Sequence, residues 1–296
     1  MSTPPNDSGA PSLSGLPFAK MSGSGNDFVV FDGRVSGAEA LTRPEVIRAI
    51  CDRHNGIGAD GVVLLEPGAG PEVRLRYFNS DGSLGELCGN ATLCSTALSV
   101  AERIASSEQV SLRTDAGLVT GRVRAGEPEI DLAPVHEVMP VEQRVATVAP
   151  EQRAGFARVG VPHVVLLLPH ADALRDTPVQ ERGRSIRQSV ALAPDGANVN
   201  WVAPKPGGGW AYRTYERGVE GETLACGTGA VAAAILLTTW GLAQSPVTLE
   251  TRSGREVTVT LARPESDSGG GERWQPSLRG EGRLVFRGTI ESLPGA

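Results

Sequence analysis

Leu87-Cys88-Gly89-Asn90-Ala91-Thr92 and Ala225-Cys226-Gly227-Thr228-Gly229-Ala230 are two versions of one phrase. In each, a Cys-Gly step follows a polar, acidic approach and opens a small-residue-rich apolar run. Leu93 to Ile104 and Ala230 to Trp240 both read as helices. The second is apolar on every face, so it has to be enclosed rather than laid on a surface. The flanking order recurs as well. Val73 to Phe78 alternates as a strand, the turn Asn79-Ser80-Asp81-Gly82 follows, and after the helix Val110 to Asp115 and Leu118 to Val123 read as a hairpin. Trp210 to Tyr215 leads to the second Cys-Gly step in the same way, and Val247 to Thr251 with Glu256 to Leu261 forms the matching hairpin. The cysteines lie 138 residues apart in a chain of 296. This weak internal repeat predicts two similar domains, 16–133 carrying Cys88 and 134–283 carrying Cys226, with a last strand in 284–296 completing the first. The fold class expected is α/β (α+β): in each domain a curved, mostly antiparallel sheet wraps a central helix, and the active site lies in the cleft between the domains.

The chemistry follows from the same two steps. A thiol at a helix start faces unpaired backbone N–H groups and the positive end of the helix dipole, which favour thiolate. Two such thiols in two similar halves suggest a pair facing across a cleft, as needed to take a proton from one face of a carbon and return one to the other. The simpler alternative is that both are small buried hydrophobes. Against it, each is approached by polar residues (Asn79, Asp81 and Glu86; Glu216, Arg217 and Glu222) and followed by a glycine that admits a close ligand. Cys51 and Cys94 lack that context and read as packing residues.

Other chemistries fit less well. Cys88 and Cys94 are six apart, matching no short zinc spacing, and His54, His136, His163 and His170 form no paired motif, so no metal is expected. Gly227-Thr228-Gly229-Ala230-Val231-Ala232 fits a relaxed dinucleotide fingerprint, with Glu250 in the ribose position, but too little chain follows to complete the βαβ series. A pyridoxal enzyme needs a Schiff-base lysine, and Lys20 and Lys205 are the only lysines. No cofactor is expected. Without a Cys-x-x-C pair, a thiol–disulfide redox protein is a weaker reading.

Hydrophobic content of 40%, with 21% charged residues, is that of a globular protein, and a net charge of −6 with no basic run argues against nucleic acid and membrane surfaces as partners. Residues 1–15, rich in Ser, Pro and Gly, read as a disordered leader without a secretion signal. The longest apolar run is far too short to span a membrane. Four cysteines are too few for a disulfide scaffold, and a cytoplasmic location is expected. Pro264 to Pro276 reads as a surface loop, and Arg283 to Ile290 as the last strand.

Six segments in order resemble the diaminopimelate epimerase family: Lys20 to Phe28 (KMSGSGNDF), Gly56 to Gly61 (GIGADG), Phe78 to Ser83 (FNSDGS) with Cys88-Gly89-Asn90, Val161-Pro162-His163, Ala197-Asn198-Val199, and Tyr215 to Gly229. The resemblance covers Phe18 to Ile290. It implies a homodimeric, cofactor-independent isomerase with Cys88 and Cys226 as the acid/base pair, acting on a small-molecule substrate, diaminopimelate. It further implies Asn26, Asn79, Asn198, Glu216 and Arg217 as substrate ligands, backbone at Gly89, Asn90, Gly227 and Thr228 holding the α-carboxylate, and His163 in support. This chain departs from the family pattern at Ser22 and Ser24, where His and Leu are usual, and at Ala91-Thr92-Leu93. Val161 stands in place of a common Asn, and Glu220 reads as a one-residue insertion.

Overall fold

Strands pair in the same order twice. The computed structural model describes residues 13–35, 38–85, 87–105, 109–262 and 273–293. In the first half Pro17–Gly23 runs antiparallel to Asn26–Asp32, which is parallel to Gly61–Pro67, itself antiparallel to Glu72–Asn79. Glu72–Asn79 is parallel to Gln109–Thr114, and Gly117–Arg124 and Glu127–Asp131 follow antiparallel. In the second half Arg153–Val159, Val161–Leu167, Asn198–Pro204, Trp210–Glu216, Val247–Glu250, Glu256–Ala262 and Gln275–Arg279 repeat that series of orientations strand for strand. Glu127–Asp131 and Gln275–Arg279 then pair with each other, with Ile130 opposite Leu278, and join the halves into one network. Arg283–Thr289 returns to pair with Pro17–Gly23, as Val138–Met139 pairs with Arg153–Val159.

The registers give residue-level equivalence between the halves. Phe28 pairs with Gly61 as His163 pairs with Asn198, so Val161 stands where the first half has Asn26. Phe78 pairs with Val62 as Tyr215 pairs with Val199, so Asn79 and Glu216 end equivalent strands.

Each half encloses one helix, Gly89–Ala101 or Gly227–Thr239. In the second, Val231, Ile235, Leu236 and Leu237 have no exposed surface. Burying each aliphatic side chain contributes about 1.5–3 kcal/mol, and the intervening alanines let strands approach from several sides. The first helix buries hydroxyls instead. Thr92, Ser95 and Thr96 donate to the carbonyls of Cys88, Ala91 and Thr92 at 2.8, 2.7 and 2.9 Å, so no buried donor is left unpaired at these positions.

Three expectations need correction or restriction. Residues 1–12, 263–272 and Glu86 lie outside the described residues. At the end of the expected leader, Leu13 is buried and the Gly15 N–H donates to the Ile290 carbonyl at 2.6 Å. The far end of the expected 264–276 loop is structured: Trp274 bridges to Val135, and Gln275 opens a strand. Among the described residues no helix is long and apolar enough to cross a membrane.

Candidate active site

A cleft of about 630 Å³ lies where the two central helices begin, and both Cys88 and Cys226 line it. Each is the residue before the first helical turn, with nearly the same extended backbone: φ −125° and ψ 115° at Cys88, φ −131° and ψ 111° at Cys226. The helix starts are in contact, since a Cβ on Gly89 would lie 3.6 Å from the Gly227 α-carbon. Backbone amides of both first turns therefore border one small volume, a ready site for a carboxylate. Gly89, Asn90, Gly227 and Thr228 all line it.

The ionisation of the thiols departs from expectation. The Ala91 and Asn90 amides pull Cys88 down, but burial outweighs them, and with the nearby Glu216 carboxylate it pushes Cys88 up to about 11. Cys226 is pushed higher still, by burial first and then by Glu216, against the opposing contact of Thr228, whose hydroxyl lies 3.6 Å from the sulfur. The helix starts bias the sulfurs toward thiolate, and desolvation wins. Cys51 and Cys94 are buried free thiols away from the cleft.

The polar lining is divided between the halves. Asn26 donates from Nδ2 to Asp60 at 3.0 Å and accepts at Oδ1 from Asn90 Nδ2 at 2.7 Å. The Asn90 amide also reaches the Ala225 carbonyl, at 3.5 Å, across to the other half. Asn90 Oδ1 is buried with no protein partner and can accept from a ligand ammonium. Asn79 lines the cleft, donating to Ser83 Oγ at 3.0 Å. From the second half come Glu216 and Arg217. Burial raises Glu216 above the ordinary carboxylate range, against a hydrogen bond from Thr223. Arg217 is the only cation among the described residues lining the cleft, and its Nη1 donates to the Asp195 carbonyl at 3.2 Å.

Two expected site residues stand behind the lining rather than in it. Asn198 is buried, and its Oδ1 accepts from the Arg217 backbone N–H at 2.7 Å, so it supports the turn that presents Arg217. His163 is fully buried, and burial, with Arg217 nearby, lowers it to about 3, so the ring is neutral. Its Nδ1 lies 3.3 Å from Asn200 Nδ2. Tyr212 Oη, 2.9 Å from Asn200 Oδ1 and 3.2 Å from the Cys226 carbonyl, links that network to the helix start. Val161 does not line the cleft.

Sequence reading missed Asp60. It lines the cleft, orients the Asn26 amide, and pairs with Arg53 at 2.7 Å. Asp27 sits beside it: burial works against its charge, but Arg53 and Lys20 hold it at about 2. The only signal available was the acid inside Gly56 to Gly61. Among the described residues no three His, Cys, Asp or Glu side chains gather as a metal-binding group.

The family model described as diaminopimelate epimerase matches residues 18–136 and 155–271. A diaminopimelate epimerase of Gemmatimonas aurantiaca is 51% identical over 281 residues, covering 94% of this chain and all of that protein. One from Aquifex aeolicus is 37% identical over 257 residues, covering 83% and 90%. Solved structures share the fold at low identity. A phenazine biosynthesis protein of the PhzF family from Enterococcus faecalis has a TM-score of 0.68 at 16% identity, over 93% of this chain and 98% of that one. A hydroxyproline epimerase from Agrobacterium vitis has a TM-score of 0.63 at 17% identity, over 94% and 93%. The chain, with its twice-repeated half and a cysteine before each central helix, belongs to the diaminopimelate epimerase family.

Proposed function

We propose that the chain is an isomerase that interconverts LL- and meso-2,6-diaminopimelate without pyridoxal, using Cys88 and Cys226 as a two-base pair. The carrying observation is that two equivalent cysteines, each at the start of a central helix, line one cleft whose helix starts touch. The substrate α-carboxylate sits at the amides of Gly89, Asn90, Gly227 and Thr228, which stabilise the negative charge that builds on it as the α-proton leaves. One cysteine enters as thiolate. Its sulfur takes the α-proton from one face, and the other thiol gives its proton to the opposite face, so one C–H bond breaks, another forms, and the charge passes from one sulfur to the other. Desolvation makes the thiolate scarce but more basic, narrowing the gap to a weakly acidic C–H.

At the far end of the substrate, Arg217 binds the second carboxylate, while Glu216, Asn79 and Asn26 take ammonium groups. Asn198 and His163 act through the elements they support. We infer a cytoplasmic enzyme with reduced thiols, and a homodimer built on Arg283–Thr289. That strand pairs on one side only among the described residues, and its Leu284, Val285 and Phe286 are 40%, 46% and 48% exposed. A second reading, epimerisation of another amino acid, is favoured by Val161 alone, where the equivalent position of the other half carries an amide. Isomerisation of LL- and meso-diaminopimelate, run beside a panel of single amino acids without added pyridoxal phosphate or metal, separates the two. Turnover of a panel amino acid with none of diaminopimelate would reverse the assignment.

A further inference from the structure

The turn that carries Arg217 is one residue longer than its counterpart: Cys88 follows Asn79 by nine residues, and Cys226 follows Glu216 by ten. The extra length is taken up at Glu220, a non-glycine residue with φ of 54°. Strain of this kind persists where the surroundings over-determine it. Here the Glu220 N–H donates to the Glu216 carbonyl at 2.8 Å, and its own carbonyl accepts from Gln180 Nε2 at 3.2 Å. Its carboxylate accepts from the Gly218 N–H and from Tyr215 Oη, each at 3.2 Å, and pairs with Arg187 Nε at 3.2 Å. Arg187 ends the helix Val179–Arg187 and presses on Gly196, where a Cβ would lie 2.1 Å from Nη1. Gly196 follows Asp195, whose carbonyl receives the Arg217 side chain. The turn below Arg217 and the loop that receives its guanidinium therefore both rest on the Arg187 side chain.

We propose that Glu220, braced by Arg187, is a positioning residue that fixes the reach of Arg217 and thereby the length of diamino diacid the cleft accepts. This rests on Arg217 binding the far carboxylate. The side chains of the pair are 22% and 41% exposed, and partly exposed pairs contribute little to folding, so the consequence lies in substrate binding.

The test compares Glu220→Gln, Arg187→Lys, Arg217→Ala and the double variant Glu220→Gln/Arg217→Ala, on 2,6-diaminopimelate and on the 2,7-diamino diacid one carbon longer. Glu220→Gln and Arg187→Lys should each raise KM about tenfold, the equivalent of about 1.4 kcal/mol. They should leave kcat nearly unchanged and reduce the preference for the shorter diacid. In the Arg217→Ala background Glu220→Gln should add nothing. An impaired Arg217→Ala beside Glu220→Gln and Arg187→Lys variants with unchanged KM would overturn the brace alone. So would an equal loss from Glu220→Gln with and without Arg217. An Arg217→Ala variant with full turnover would remove the reading beneath it, and the brace with it.

Discussion

Gly89 and Gly227 stand face to face, each so placed that a Cβ added to it would lie 3.6 Å from the α-carbon of the other. Two helices can bring their positive ends this close only if both begin with a small residue, and the matching backbone angles at Cys88 and Cys226 aim them at the same volume. The cleft is thus symmetric where the reacting carbon would sit. It is asymmetric beyond that point, because Glu216 and Arg217 come from one half.

The glycines of these helix starts should rank by what they face. At Gly89 a Cβ meets Leu278 Cδ2 at 3.4 Å, at Gly227 the same atom at 2.8 Å, and at Gly229 it meets Tyr212 Oη at 2.2 Å and Asn200 Oδ1 at 2.3 Å. Gly89→Ala should be tolerated in folding, whereas Gly227→Ala should cost about 1–3 kcal/mol as Leu278 shifts. Gly229→Ala should cost more, because its neighbours are held by the Asn200 network. Urea unfolding of the three variants checks the order.

The raised thiols predict slow alkylation. With Cys88 at about 11, iodoacetamide should react with the free enzyme slowly at neutral pH and about tenfold faster per pH unit up to that value. Cys88 should be modified before Cys226, which is pushed up further. Peptide mapping after short exposure reads both, and a rate that levels off below pH 8 would show that burial does not dominate.

Acid should destabilise the fold in two windows. His163 is buried neutral and lowered to about 3, so between its unfolded value of 6.5 and 3 the unfolded chain binds the extra proton, and stability falls as the pH is lowered through that window. Asp27, held at about 2 against an ordinary 3.8, keeps its stabilisation above pH 3.8 and loses it as pH falls toward 2, about 2 kcal/mol in all. His163→Asn should flatten the upper window and Asp27→Asn the lower, in unfolding measured between pH 7 and 2.

Arg217→Ala should weaken turnover of diaminopimelate by about 2–5 kcal/mol, since a desolvated carboxylate loses its charge-assisted partner. The loss should be much smaller on a substrate lacking that carboxylate. Comparison of kcat/KM for the two substrates measures it.

The repeat was legible because Cys-Gly before an apolar run has few other uses, and because the helix after Cys226 has no polar face. The strands that join the halves were not. Glu127–Asp131 and Gln275–Arg279 each contain a proline and acidic or basic residues, which give a weak strand signal. In the fold Arg122 pairs with Glu129 and Asp131, neutralising charges that the sequence shows as exposed polarity. Asp60 was invisible as an orienting residue because its bond to Asn26 spans 34 positions. The ionisation of the thiols was misread for a related reason: a helix start is written in the sequence, whereas the depth at which it is buried is set by strands from both halves.

The two-base assignment is tested most directly in D₂O, starting from LL-diaminopimelate and following the first meso product by mass spectrometry. If Cys88 and Cys226 address opposite faces of one carbon, the proton returned comes from the second thiol, and each meso molecule carries one deuterium at the inverted carbon. Cys88→Ala and Cys226→Ala should each abolish the reaction, whereas Cys51→Ala and Cys94→Ala should leave it intact. Product that keeps its original hydrogen, or full epimerisation by either Cys88→Ala or Cys226→Ala, would contradict the account.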